Sequence, residues 1–346
     1  MPRPLALSIS DWLVPWRERA WPVDWAAEFH RAAPLALEIG FGNGEYLERE
    51  ARARPERNHL GIELSWTAAT HIFRRLDKGG LPHVRALLGD AEVALRLLFA
   101  PRSLAEVFIN HPCPWQKERH AERRLVRPDV LALLADRMAP EAPLLIVTDH
   151  AAYAAEIGAA LESQRAFTAA LGATEVDALP GREPTKYQRK AMAAGVPIHY
   201  FPWRRTGAVA PPPLPEPSSP DDMPSLTLAG RPAEDELFRG FEAVVERAAP
   251  RGVETVVKLA YAYRREGEPV WLVEAMVKEE RLQQDCAVMV VRRAEGRTLV
   301  KLSPLGHPHP TFGVKRAVWS VGAWLRRRHP GLALSEHNLG DAAEEG

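Results

Sequence analysis

The chain has 346 residues, room for two domains of ordinary size, with a hydrophobic fraction of 46% that suits a globular protein. Its 45 Lys and Arg balance 45 Asp and Glu, which excludes a generally cationic nucleic-acid binder and requires any polyanion to be met by a local patch. No apolar run approaches the ~18 residues of a membrane span, no secretory pattern opens the chain, and Cys113 and Cys286 stand too far apart to suggest a disulfide framework or a metal site, so a cytoplasmic protein is expected.

Trp12, Trp16, Trp21 and Trp25 near the start read as packing residues. The apolar run Leu35-Ala36-Leu37 then leads into Glu38-Ile39-Gly40-Phe41-Gly42-Asn43-Gly44, and an amphipathic stretch follows. Strand, glycine loop and helix in that order are how an α/β sheet approaches a nucleotide-like ligand, because a loop of glycines turns tightly and exposes its backbone. The next strand, 58–62, ends at Glu63, and a carboxylate there suits a ribose with two hydroxyls.

Further strands are predicted at 35–39, 83–88, 105–110, 143–148 and 198–203, with helices at 44–53, 66–78, 91–98, 128–138 and 151–163. This alternation predicts a doubly wound parallel sheet of the Rossmann-like type, which binds ligands beyond the carboxyl ends of its strands. Glu38, Glu63, Asp90, Asn110 and Asp149 all fall at or just after such ends. Packing gives little reason for five polar residues at five strand ends.

The fourth strand runs into Asn110-His111-Pro112-Cys113-Pro114-Trp115, a stiff loop suited to gripping a planar group, with a structural turn as the alternative. Residues 116–127 follow with five fixed cations, among them Lys117, Arg119, Arg123 and Arg124, which predict phosphate contacts in preference to a merely solvated face. A third polar cluster, Arg182 to Lys190, offers another basic surface, or a plain solvated loop.

Seven prolines within residues 208–225 predict an extended linker, placed at 207–225 between domains 1–206 and 226–346. Beyond it, strands at 253–263, 269–277, 286–293 and 297–303 and helices at 233–248 and 312–328 predict an α+β accessory domain with an antiparallel sheet. Val314, Val318, Val321 and Leu325 make one apolar stripe, expected to pack on that sheet while Lys315, Arg316 and Arg326 to Arg328 stay largely outside. No catalytic constellation is evident there, and an accessory part in binding, with no part in chemistry, is the expected role.

The ordered pieces together resemble the bacterial tRNA (guanine-N7-)-methyltransferase family. They are Glu38 to Gly44, Gly61-Ile62-Glu63, Gly89-Asp90-Ala91, Pro112 to His120, Arg123 to Val126, Thr148-Asp149 and Pro184 to Gln188, spanning roughly residues 30–205. The resemblance implies a class I S-adenosylmethionine-dependent methyltransferase that forms 7-methylguanosine in the tRNA variable loop. It implies that Glu38, Gly40, Gly42, Gly44, Glu63, Asp90, Asn110 and Cys113 hold S-adenosylmethionine. It implies that Lys117, Asp149, Thr185, Lys186, Tyr187 and Gln188 meet the substrate nucleotide, with Asp149 and Cys113 as candidate catalytic residues. Cys113 and Gln188 stand where the family usually has Asp and Glu. Those losses keep two alternatives open: a methyltransferase acting on another nucleic-acid or amino nitrogen, and a catalytically weak RNA-binding module.

Overall fold

The computed structural model describes residues 11–115, 117–207, 223–232, 236–293 and 296–343. The chain divides into two compact units, Met1–Pro212 and Pro213–Gly346. Most of the proline-rich segment, 208–222, lies outside the described residues.

In the first unit the chain order is α1 (Trp25–Glu28), β1 (Leu35–Ile39), α2 (Glu45–Ala53), β2 (Asn58–Glu63), α3 (Trp66–Gly79), β3 (Val84–Leu88), α4 (Ala91–Leu97) and β4 (Leu104–Asn110). It continues with α5 (Pro128–Arg137), β5 (Pro143–Thr148), α6 (Ala151–Glu162), β6 (Phe167–Ala169), α7 (Lys186–Ala193) and β7 (His199–Arg205). The sheet order is β3-β2-β1-β4-β5-β7-β6. The first five strands are parallel. β1 is buried along its whole length, as a central strand covered on both faces must be. Trp16 and Trp25 are buried, and Trp16 donates from its indole to the Leu88 carbonyl at 2.9 Å, so the tryptophans pack as expected.

The expected Rossmann-like class is present, with one correction to its direction. β7 runs antiparallel to β5, and β6 antiparallel to β7. Two elements not foreseen, β6 and α7, lie between α6 and β7 and bring the chain back from the other end of the sheet. Alternation of apolar runs reports that strands and helices take turns, but it carries no direction for the last strand.

The second unit is an antiparallel sheet under one helix. Its elements are β8 (Ser225–Gly230), β9 (Val244–Ala248), β10 (Thr255–Arg264), β11 (Val270–Glu279), β12 (Leu282–Arg293), β13 (Arg297–Leu302), α8 (Phe312–Arg328) and β14 (Leu332–His337). The strand order is β14-β8-β13-β12-β11-β10-β9. Val314, Val318, Val321 and Leu325 of α8 are fully buried against Val257, Val273, Val288 and Val300 of the sheet, so the stripe packs where its spacing placed it. The cations of α8 are less exposed than expected: Arg316 donates to Glu246 at 2.9 Å, and Arg326 lies 4.9 Å from the centre of the Trp319 ring.

Residues 233–235 lie outside the described residues, and over 236–248 the expected helix is not formed. Gly240 takes a left-handed φ of 72°, and the β-branched pair Val244-Val245 starts strand β9 on the edge of β10. Strands β8 and β14, also not foreseen, complete the opposite edge.

Candidate functional site

Sheet order reverses between β1 and β4, and that reversal opens a crevice at the carboxyl ends of the strands. The glycine loop sits there, with Gly40, Gly42 and Gly44 all at left-handed φ values of 76°, 55° and 75°. A Cβ on Gly61 of β2 would stand 2.5 Å from the Phe41 ring and 2.6 Å from Leu47, so this glycine lets the loop lie against the sheet. Glu63, at the end of β2, fastens the loop. One carboxylate oxygen accepts from the Gly42 amide at 3.0 Å, and the other accepts from the Leu64 and Ser65 amides at 2.9 Å each.

Glu38 lies in the middle of the sheet at 2% exposure. Asn110, at the end of β4, donates its Nδ2 to Glu38 Oε1 at 2.9 Å. Arg182 donates Nη2 to Asn110 Oδ1 at 2.6 Å, and its guanidinium lies over the Tyr46 ring at 4.7 Å. Glu38 Oε2 and the Nε and Nη1 of Arg182 are buried without a hydrogen-bond partner. Burial pushes the Glu38 carboxyl up to about 8, against the downward pull of the Asn110 hydrogen bond and the Arg182 charge.

Asp149 follows β5, and its Oδ1 lies 3.2 Å from Nδ1 of His111. His111 has a left-handed φ of 49°, and its amide donates to the Val147 carbonyl at 2.7 Å. Its Nε2 is buried and unpartnered. Tyr187 lies beside it with ring centres 6.1 Å apart, 57% exposed. Asp90 caps α4, accepting at Oδ1 from the amides of Glu92 at 2.9 Å and Val93 at 3.1 Å. Cys113 is exposed, as are Lys117 and Lys186. The side chain of Arg119 lies outside the described residues.

Three expected contacts are corrected. Arg124 is 8% exposed and fully engaged within the fold: Nε donates to the Pro114 carbonyl at 2.9 Å, Nη1 to both oxygens of Glu156, and Nη2 to the Trp115 carbonyl. It pins the Pro-Cys-Pro-Trp loop to α6, and its burial turns it away from phosphate contact. Arg123 is exposed, 5.2 Å from the centre of the Trp115 ring. Thr185 and Gln188 are also buried, and they form the capping box that starts α7. Gln188 Oε1 accepts from the Thr185 amide at 2.6 Å while its Nε2 donates to the Tyr200 hydroxyl at 3.0 Å, so its side chain is used up internally.

Arg182 and His111 stand as polar residues in the basic cluster and the proline-rich loop of the sequence, but only their neighbours in space show which of their atoms lack partners.

A protein-family model described as "Putative methyltransferase" matches residues 32–201. A tRNA (guanine-N(7)-)-methyltransferase of Thermus thermophilus is 35% identical over 312 residues, covering 88% of this chain and 93% of that protein. A match of that length includes much of the second unit, because the first ends at Pro212. Proteins of the same name from Bordetella pertussis and Mycobacterium tuberculosis are 42% identical over 149 residues and 36% identical over 197 residues. These cover 43% and 56% of this chain, and 58% and 75% of the relatives.

Proposed function

This chain belongs to the tRNA (guanine-N(7)-)-methyltransferase family, and on that premise we propose that it transfers a methyl group from S-adenosylmethionine to N7 of a guanine in tRNA, in the cytoplasm. The observation that carries this reading is the gathering of Glu38, Glu63, Asp90, Asn110 and Asp149 at the carboxyl edge of one sheet, around a glycine loop at the point where strand order reverses. The donor set fits the cofactor. A bare, buried carboxylate oxygen on Glu38 suits an ammonium, Oε2 of Glu63 keeps one acceptor position for a ribose hydroxyl, and the exposed backbone of Gly40 leaves room for a ligand. From the family resemblance this reading assigns Asp90 to the adenine side and the exposed Cys113 to the wall of the site.

S-adenosylmethionine supplies an electrophilic methyl group on a sulfonium. Guanine N7 carries a lone pair and no proton, so the residues here have no proton to abstract before attack. Their work is to position the base and to meet the positive charge that develops on it. Asp149 is the carboxylate placed for that charge or for the guanine edge, steadied by His111. Tyr187 offers a stacking face, and Lys117, Arg123 and Lys186 lie exposed for phosphate. The loss of an acid at Gln188 does not weaken this reading, because that side chain caps a helix inside the protein.

The second unit adds affinity for the tRNA body. Tyr263, Leu272, Met289 and Lys301 are cross-strand partners on the sheet face turned away from α8, with Tyr261 close by, and Tyr261 and Tyr263 are 64% and 55% exposed. Exposed aromatic rings on a regular sheet face suit stacked bases.

Mass spectrometry of nucleosides from unmodified tRNA incubated with the protein and S-adenosylmethionine tests the reaction. The expected product is 7-methylguanosine. Methylation at another position would assign a different nitrogen, and tRNA binding without any methylation would leave an RNA-binding module.

A further inference from the structure

Arg124 and Arg127, which serve the fold of the first unit, use all three guanidinium nitrogens. Arg54, paired with Glu106 and Glu50, leaves only its Nε bare. Arg182 departs from this pattern. One nitrogen donates to Asn110, and the other two, Nε and Nη1, are buried without partners. A guanidinium left with two bare donors away from water is expensive unless an anion completes it. Its position is fixed from several sides: Tyr46 lies beneath it, and Arg49 donates to the Glu183 carbonyl at 2.9 Å and the Pro184 carbonyl at 3.3 Å, tying the segment that follows Arg182 to α2.

The same amide that holds Arg182 holds Glu38, and Glu38 too has one bare buried oxygen. Two bare donors of a guanidinium and one bare oxygen of a carboxylate, joined through Asn110, are the complement of an α-amino-acid zwitterion. A phosphate fits less well, because it brings no ammonium to the bare oxygen of Glu38. We propose that Arg182 binds the carboxylate of the cofactor's methionyl end through Nε and Nη1 while Glu38 receives its ammonium. Arg182 thereby makes the site selective for ligands that retain the carboxylate. The planar fork of arginine matches a carboxylate in a way that lysine does not. The inference rests on the reading of the site as one for S-adenosylmethionine.

Calorimetry on the full chain tests it with two probes, S-adenosylhomocysteine and its decarboxylated analogue. The wild type is expected to favour the carboxylated ligand by at least about tenfold, the scale of a charge-assisted pair. Arg182→Gln is expected to remove most of that preference while changing the affinity for the decarboxylated analogue by less than about twofold, as an independent contact should. Arg182→Lys should restore the preference only in part. Wild-type protein that does not discriminate between the probes would overturn the inference. So would an Arg182→Gln variant that weakens both ligands equally, or one that weakens only tRNA and its salt dependence, which would make Arg182 a phosphate contact. If the wild type binds neither probe, the cofactor reading itself fails, and the inference with it.

Discussion

Each unit of this protein buries a glutamate almost completely, and the two have opposite surroundings. Glu279, at the end of β11, is 1% exposed and satisfied on both oxygens: Oε1 accepts from the Gly313 amide at 2.9 Å and Oε2 from the Thr311 hydroxyl. It thus caps the start of α8, where four amides need acceptors. Gln284 completes the network, donating to Thr311 Oγ1 at 3.1 Å and accepting from the His309 amide at 2.8 Å. Glu38, at 2% exposure, leaves one oxygen bare. Among the described residues, every buried side-chain polar atom without a partner lies in the first unit, on Glu38, Arg54, His111, Arg182 and His199. Three of these five, Glu38, His111 and Arg182, line the candidate site, where a ligand can complete them, while Arg54 and His199 are already held through other atoms by Glu50 and Glu175.

The two glutamates should therefore separate stability from binding. Glu279→Leu strands the Thr311 hydroxyl and the Gly313 amide, and each bare donor costs about 1–3 kcal/mol. A clear fall in the denaturant midpoint of the second unit is expected, with cofactor affinity unchanged. Glu38→Gln should do the reverse, weakening cofactor binding by the about 1.5–3 kcal/mol of a hydrogen bond to a charged group. Its melting temperature should hold, since the buried carboxyl is already mostly protonated at neutral pH and glutamine keeps an oxygen to accept from Asn110. Equal losses of stability in the two variants would erase the distinction.

The pH dependence of binding sharpens the same contrast. With its carboxyl pushed up to about 8 by burial, Glu38 is mostly protonated at neutral pH in the free protein. A ligand ammonium favours the ionised form, so binding near pH 7 should release a proton, and affinity should climb with pH until about 8. Titrations in two buffers of different ionisation heat measure that proton, and Glu38→Gln should abolish it. The sign for the free protein is opposite. A carboxyl raised above its unfolded value contributes stability that is complete below that value and is lost as pH rises through about 8.

Much of this was legible in the residues. The apolar run into Glu38, the glycine loop and the strand ends at Glu63, Asn110 and Asp149 carry local signals that tertiary packing did not override. α7 was missed because Lys186 to Lys190 reads as a solvated loop, although Thr185 and Gln188 carry the Thr-x-x-Gln spacing of a capping box. The use of each charge was not legible. Arg123 and Arg124 are adjacent in one basic run, yet one is exposed and the other is buried against Glu156. Charge composition gives the number of cations but not which of them the fold consumes.

That adjacent pair supplies a further comparison. Arg124→Ala should lower stability by about 1.5–3 kcal/mol, as loss of hydrogen bonds to a charged partner does, and loosen the Pro-Cys-Pro-Trp loop. Arg123→Ala should leave the melting temperature alone and reduce the slope of log affinity for tRNA against log salt by about 0.7–0.9. An unchanged slope in Arg123→Ala would make that arginine a solvated residue.

The smallest effect is expected in the second unit, where binding is proposed without chemistry. Tyr261 and Tyr263 stand exposed with ring centres 6.3 Å apart, on a sheet whose other face is closed by α8. Large aromatic rings held in water on a regular strand contribute nothing to that core. Replacing both by serine in the full chain should leave the fold, the cofactor affinity and the rate at saturating tRNA unchanged. The tRNA concentration for half-maximal rate should rise several-fold, because stacking a base on an aromatic ring is worth about 1–3 kcal/mol and a tethered second grip converts such energy into effective concentration. If the rate at saturating tRNA collapses instead, the second unit takes part in the reaction. If neither quantity moves, the tyrosines face some other partner, and tRNA is held by the first unit alone.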